Sequence, residues 1–214
     1  MKEPSVPVAK EGVPFILFAA LLSLIFAVLQ YSLLSFGALF LTAFVLYFFR
    51  DPERIASDDE DALISPADGK VILIEKVFDE RYVKEHVYKI SIFMNIFNVH
   101  VNRVPFPGKV RKVIYTPGTF YSANTEKSSL GNESCGIVLE TAAGKKIAFV
   151  QIAGLIARRI VCWAVRDDML KKGERFGLIR FGSRVDLYLP LQTQLEISKG
   201  QKVRAGETIL GYLS

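Results

Sequence analysis

The chain has 214 residues, half of them apolar, a formal charge of +5, and only two histidines and two cysteines. So few His and Cys argue against a metal centre, and basic residues interleaved with acidic ones argue against a nucleic-acid surface. Its mean hydropathy of +0.28 is high for a soluble domain, which turns attention to a membrane segment.

Residues 13–49 supply one: 37 residues without a charge. A bilayer-spanning helix needs roughly 17–25 apolar residues. The stretch therefore suits two short spans, divided near Gln30-Tyr31-Ser32, better than one; a single long tilted span or a shallow re-entrant pair is the alternative. It is too long for the apolar core of a cleaved signal peptide. Lys2 and Lys10 precede it and Arg50 and Arg54 follow it, which places both flanks in the cytoplasm. Charges in the tail, residues 1–12, cancel, so the whole excess of +5 belongs to residues 50–214. A tethered domain of that sign is attracted to anionic lipid head groups. Cys135 and Cys162 lack metal-ligand spacing and fit buried thiols in a reducing compartment.

Residues 50–61 form a polar, acidic linker. Beyond it, residues 62–214 break into short alternating runs rich in Val, Ile, Tyr and Phe: "GKVILIEKV", "VYKISIF", "VHVNRVP", "GKVRKVIY", "KKIAFVQIA", "RRIVCWAV", "SRVDLYLP", "TQLEIS" and "ETILGYL". Gly, Pro, Asp and Asn separate them, as between strands. Only "SANTEKSSL" and "AGLIARR" suggest short helices. The prediction is a mainly β barrel or sandwich behind a helical membrane hairpin. "SKGQKVRAGETILGYL" puts Gly200, Gly206 and Gly211 where positive φ is useful. It resembles the closing segment of biotinyl/lipoyl-type hammerhead barrels, with "ISPADGKVILIE" as the partner half. The attachment lysine of swinging-arm carriers is absent.

Candidates for chemistry are few. His86, in "KEHVYK", reads as a surface residue on a charged strand edge. His100 lies among apolar residues in "FMNIFNVHVNRVPFPG", where a satisfied core histidine and a functional one are equally good readings. Asp68-Gly69 after Pro66 is ordinary turn chemistry unless other residues join it. No phosphate-binding glycine loop, zinc-protease or nucleophile-elbow motif occurs. Gly182-Ser183, at the mouth of "RFGSRVDLYLP", offers another route. A serine hydroxyl pressed against the preceding carbonyl converts the amide to an ester, and a strained turn with glycine before it drives the shift. β-Elimination and hydrolysis then leave a pyruvoyl ketone, an electron sink for amine substrates. The dipeptide alone is a weak signal.

Its company is an ordered set: "YFFRDPER", "SPADGKV", "IFMNIFNVHVNRVPFPGKV", "ANTEKSSLGNES", "QIAGLIARRIVCW" and "RFGSRVDLYLP". In order and spacing these resemble the short prokaryotic form of phosphatidylserine decarboxylase, over residues 13–214; archaetidylserine decarboxylase-like relatives share the pattern. The resemblance implies a proenzyme that cuts itself between Gly182 and Ser183. The products are a β chain, 1–182, and an α chain, 183–214, held as a heterodimer that further oligomerisation can extend. Ser183 becomes the covalent pyruvoyl cofactor. Asp68 matches the acidic member of the processing triad, and His100 the histidine of the decarboxylation step. Longer members carry a second histidine three residues on, where this chain has Arg103, and an Asp where it has Asn98. The resemblance thus leaves two candidates for activating Ser183: His100 serving both reactions, or Asp68 acting through water. The implied substrate is phosphatidylserine in an anionic membrane, at the cytoplasmic face of the inner membrane, yielding phosphatidylethanolamine and carbon dioxide. Arg103, Arg158 and Arg159 are candidates for the lipid phosphate.

Two other readings compete. One is a non-enzymatic, membrane-tethered hammerhead adaptor, against which the lack of coiled-coil heptads counts. The other is a self-processing hydrolase with Ser183 as an N-terminal nucleophile.

Overall fold

A computed structural model describes residues 7–118, 131–154, 159–180 and 183–213. The chain divides into two compact units, Met1–Glu53 and Arg54–Ser214.

In the first unit a 3-10 turn, Lys10–Gly12, leads into helix α1, Val13–Val28, and α2 follows as Ser32–Phe48. Pro14 falls in the first turn of α1, where its missing N–H would have no intrahelical partner anyway. The reversal turns on Gln30, whose φ is 60°. Across the hairpin, Ser23 and Ser35 each donate a hydroxyl to the other's carbonyl at 3.3 Å. At the open end Ala9 N–H donates to the Phe49 carbonyl and Asp51 N–H to that of Pro7, both at 2.8 Å. Leu17, Phe18, Leu33, Phe36 and Phe40 point outward and are exposed. A helix apolar all round is stable when lipid, not water, surrounds it. Lys10–Val28, at 19 residues, is long and apolar enough to cross a membrane, and α2 is a shorter apolar helix.

The second unit is mainly β. Its principal sheet contains β2 (Gly69–Phe78), β3 (His86–Met94), β5 (Gly108–Thr116), β6 (Ser134–Glu140), β7 (Lys146–Ala153), β9 (Met169–Leu170), β11 (Ser183–Pro190) and β13 (Lys202–Val203). These eight run in the order β13-β2-β3-β11-β7-β6-β5-β9. β4 (Val101–Arg103), β8 (Ile160–Cys162) and β10 (Arg175–Ile179) form a three-stranded sheet centred on β10. A second joins β1 (Ala62–Ile64), β14 (Ile209–Tyr212) and β12 (Gln194–Leu195).

The central position of β11 explains its composition. Val185, Leu187 and Leu189 enter the main core with Ile90 and Ile92 of β3 and Phe149 of β7. The alternate residues are covered too: Tyr188 packs with Tyr82, Val83, Val87 and Val150, and Asp186 is fully buried. Burying that carboxylate requires a partner. Arg184 supplies it, with Nε and Nη2 each 2.7 Å from an Asp186 oxygen. The alternation in the sequence thus separates two faces, and neither meets solvent.

β6 and β10 went unpredicted. Gly136 interrupts the first and Gly177 the second, and their neighbours form apolar runs without period-two contrast. The suggested helix in "SANTEKSSL" lies outside the described residues, and so does most of "AGLIARR".

Candidate active site

Ser183 opens β11, fully buried, opposite Met94 of β3 on one side and Ala153 of β7 on the other. Its hydroxyl donates to the Met94 sulfur at 3.3 Å. Gly182 lies outside the described residues.

Asp68 stands just before β2, the strand on the far side of β3. Gly69 is more than a turn residue: a Cβ there would sit 2.2 Å from the Phe93 carbonyl oxygen, so only glycine lets β2 close on β3. That approach delivers Asp68 into the fold, 7% exposed. Its Oδ1 accepts the Ala205 N–H at 2.8 Å, and its Oδ2 accepts the Val99 N–H at 3.4 Å. Arg54 Nη2 lies 3.3 and 3.2 Å from the two oxygens, while its Nη1 donates to Glu207 at 3.1 Å. An ionised carboxylate accepting from an arginine and two amides is a well-compensated charge.

His100 follows Val99 directly and is fully buried. Its Nδ1 lies 3.0 Å from the Asn98 carbonyl oxygen. A carbonyl can only accept, so Nδ1 carries the proton and Nε2 is the basic nitrogen of the neutral ring. The Asn98 carbonyl therefore orients the imidazole through Nδ1, and Asp68 holds the adjoining backbone through Val99. The His100 carbonyl accepts the Ile179 N–H at 3.3 Å, tying the histidine to β10, the strand that runs toward Ser183.

Behind these three lies a buried polar chain that the sequence did not suggest. Asn102 Nδ2 is 3.7 Å from the Met94 sulfur and 3.5 Å from the Pro66 carbonyl. Asn102 Oδ1 accepts from Gln151 Nε2 at 2.9 Å. Asn102 and Gln151 are both fully buried. Gln151 lies over Gly177, where a Cβ would come within 2.7 Å of its amide nitrogen. Arg54 is a second omission; its sequence position suggested only a basic flank to the membrane segment.

The arginines separate. Arg103 is 5% exposed and donates to the Gly173 carbonyl at 3.0 Å. Arg159 is exposed, and Arg158 lies outside the described residues. His86 is exposed at the start of β3 with its ring against Phe78.

The two thiols adjoin this region: Cys135 pairs in register with Gln151, and Cys162 with Gly177. Cys135 is buried but Cys162 only partly so, which corrects the expectation of two buried thiols. A hydrogen bond from Cys135 holds Cys162 below the ordinary thiol range. The same bond, with burial, pushes Cys135 up. On the other face of β11, burial raises Tyr82 and Tyr188, and Asp186 adds to both.

Fold and site together describe a mainly β protein with a buried serine at the head of β11, a buried carboxylate just before β2 and a buried histidine just before β4. The phosphatidylserine decarboxylase family model matches residues 41–211. A protein of Desulfotalea psychrophila named phosphatidylserine decarboxylase proenzyme is 63% identical over 213 residues, covering 100% of both chains. Proteins of the same name from Geotalea uraniireducens and Syntrophotalea carbinolica are each 49% identical over 213 residues, again with 100% coverage of both chains. The chain belongs to the phosphatidylserine decarboxylase family. It is an enzyme, a decarboxylase, and phosphatidylserine is the family's substrate. Membership sets aside both the adaptor and the hydrolase.

Proposed function

We propose that the chain is a proenzyme that cuts its own Gly182–Ser183 bond and then decarboxylates phosphatidylserine to phosphatidylethanolamine at the residue left from Ser183. The observation that carries this is Ser183 itself: a fully buried serine heads the central strand, and the strand leading to it is hydrogen-bonded to His100.

Self-cleavage uses only groups of this chain. His100 Nε2 takes the hydroxyl proton as Ser183 Oγ attacks the Gly182 carbonyl carbon, and the former amide nitrogen is protonated as the ester forms. Asp68 fixes the backbone on which His100 rides. Elimination breaks the Cβ–Oγ bond, releasing residues 1–182 as a carboxylate, and hydrolysis of the remainder frees ammonia.

The site suits the pyruvoyl group that results. It is small, and the buried Ser183 side chain already lies against a thioether, a surface that accepts a methyl. Once formed, the group supplies an electrophilic ketone that takes up the substrate amine and the electron pair left by carbon dioxide. His100 then delivers a proton to the α-carbon. Arg159, exposed beside β8, and its neighbour Arg158 are assigned to the lipid phosphate. Arg103, bonded to Gly173, is the weaker of the three candidates.

We assign residues 13–49 to a membrane hairpin with both ends in the cytoplasm, residues 50–61 to a linker and 62–214 to the catalytic domain. The hammerhead likeness is supported by pairing between the start and the end of the β unit, β1 with β14 and β2 with β13. Gly200 and Gly206 adopt φ of 95° and 79°, as that closing segment requires.

The test is conversion of phosphatidylserine in vesicles. The wild-type protein is expected to form phosphatidylethanolamine and Ser183→Ala none. Product from Ser183→Ala would refute the assignment. Arg159→Ala should raise KM severalfold with little change in kcat, as loss of a ground-state phosphate contact does.

A further inference from the structure

Met94 is an unusual neighbour for a reactive hydroxyl. A thioether is a weak acceptor, and methionine is normally a flexible filler of gaps. Here it is pinned. The Asn102 amide approaches the sulfur at 3.7 Å while the Ser183 hydroxyl donates to it at 3.3 Å. Asn102 is itself fixed by the Pro66 carbonyl and by Gln151, at 3.5 and 2.9 Å. Pro66 stands two residues before Asp68, so the same turn that places the carboxylate also anchors the chain of contacts behind Ser183. Met94, Asn102, Gln151 and Ser183 are all fully buried.

The reaction explains why a weak acceptor belongs there. During the acyl shift the Oγ–C bond forms, the C–N bond breaks and the hydroxyl proton passes to nitrogen by way of the base. In the elimination the Ser183 α-proton leaves and the Cβ–Oγ bond breaks, so that oxygen departs with Gly182. Water then adds to the remaining enamine carbon and ammonia leaves; Cβ, having gained a proton, ends as a methyl. The group facing Met94 therefore begins as CH2–OH and ends as CH3. A strong acceptor in that position would hold the hydroxyl back from attack. It would also lose the hydroxyl donor afterwards and keep only the Asn102 amide, a cost that grows with acceptor strength in a buried site.

We propose that Met94 is a positioning residue selected for both forms of residue 183: its sulfur, aimed by Asn102, holds the serine hydroxyl loosely enough to react, and the same contact packs the pyruvoyl methyl afterwards. Shape at this position matters and acceptor strength must stay low. The inference rests on self-cleavage at Gly182–Ser183.

Chemical replacement of sulfur by methylene isolates the claim. The chain has three methionines, Met1, Met94 and Met169, and Met169 is exposed. Among the described residues, norleucine incorporation therefore changes one buried site without changing its shape. The measurement is the rate of appearance of the small chain on a denaturing gel, beside the wild-type protein. The norleucine protein should cleave within about threefold of wild type, since a weak hydrogen bond is all it loses, whereas Met94→Gln, of similar length but strongly hydrogen-bonding, should cleave at least about tenfold more slowly. A melting curve establishes that the Gln variant is folded; if it is not, the norleucine arm decides alone. An uncut norleucine protein, or a folded Gln variant cleaving at the wild-type rate, would overturn the role of Met94. A wild-type chain that never cleaves would instead overturn the self-processing reading beneath it.

Discussion

In the proposed mechanism, His100 is the residue on which processing and turnover converge. With Nδ1 committed to the Asn98 carbonyl, its one basic nitrogen is Nε2, and Arg103 stands where the sequence resemblance puts the second histidine of longer members. His100→Ala is therefore expected to stay full-length after overnight incubation on a denaturing gel. Complete cleavage of that variant would confine His100 to decarboxylation. Asp68→Ala should also remain uncut, because it removes the acceptor for Val99 N–H and leaves Arg54 without its principal carboxylate. Nearby, Cys162 is partly exposed while Cys135 is buried, and the hydrogen bond from Cys135 holds the Cys162 thiol below its ordinary range. Limited alkylation followed by peptide mass spectrometry should label Cys162 before Cys135; the reverse order would contradict the paired-thiol geometry.

At the scale of elements, β11 carries Ser183 at its first position, so the proposed chemistry requires that strand to be held rigidly. The Arg184–Asp186 pair, 3% and 0% exposed, lies directly beside that residue. Removing Arg184 would strand a buried carboxylate, so Arg184→Ala in a Ser183→Ala background should lose about 3–5 kcal/mol of stability in denaturant melts. A loss under about 1 kcal/mol would mean water reaches Asp186, as at exposed ion pairs. β2, β3 and β5 were legible in the sequence because their period-two contrast survives burial of one face, and β11 because its alternation separates two covered faces. β6 and β10 were not, since glycine and flanking apolar residues erase that contrast. Of the proposed site, only Asp68, His100 and Ser183 could be named from the sequence, each through a motif that carries it. Arg54 reaches Asp68 and Glu207 over 14 and 153 residues, and Gln151 reaches Asn102 over 49. No local pattern encodes such pairings; they exist only after β2, β3, β4 and β7 have assembled.

For the molecule as a whole, the apolar helices and the basic excess make different predictions about membrane attachment. Electrostatic adhesion weakens steeply with salt because the Debye length shrinks to about 3 Å at 1 M, whereas buried apolar helices are insensitive to it. The protein should therefore remain with membranes through a high-salt wash; release would show that charge alone holds it. The central claim, that this family member manufactures its own catalytic group, is tested most directly by the intact mass of the purified wild-type protein under denaturing conditions. The account predicts two chains, with residues 183–214 appearing as a 32-residue fragment blocked by pyruvate at its first position, and a single uncut chain for Ser183→Ala. A single uncut chain in a wild-type preparation that decarboxylates phosphatidylserine would contradict it, as would a small chain beginning with an intact serine.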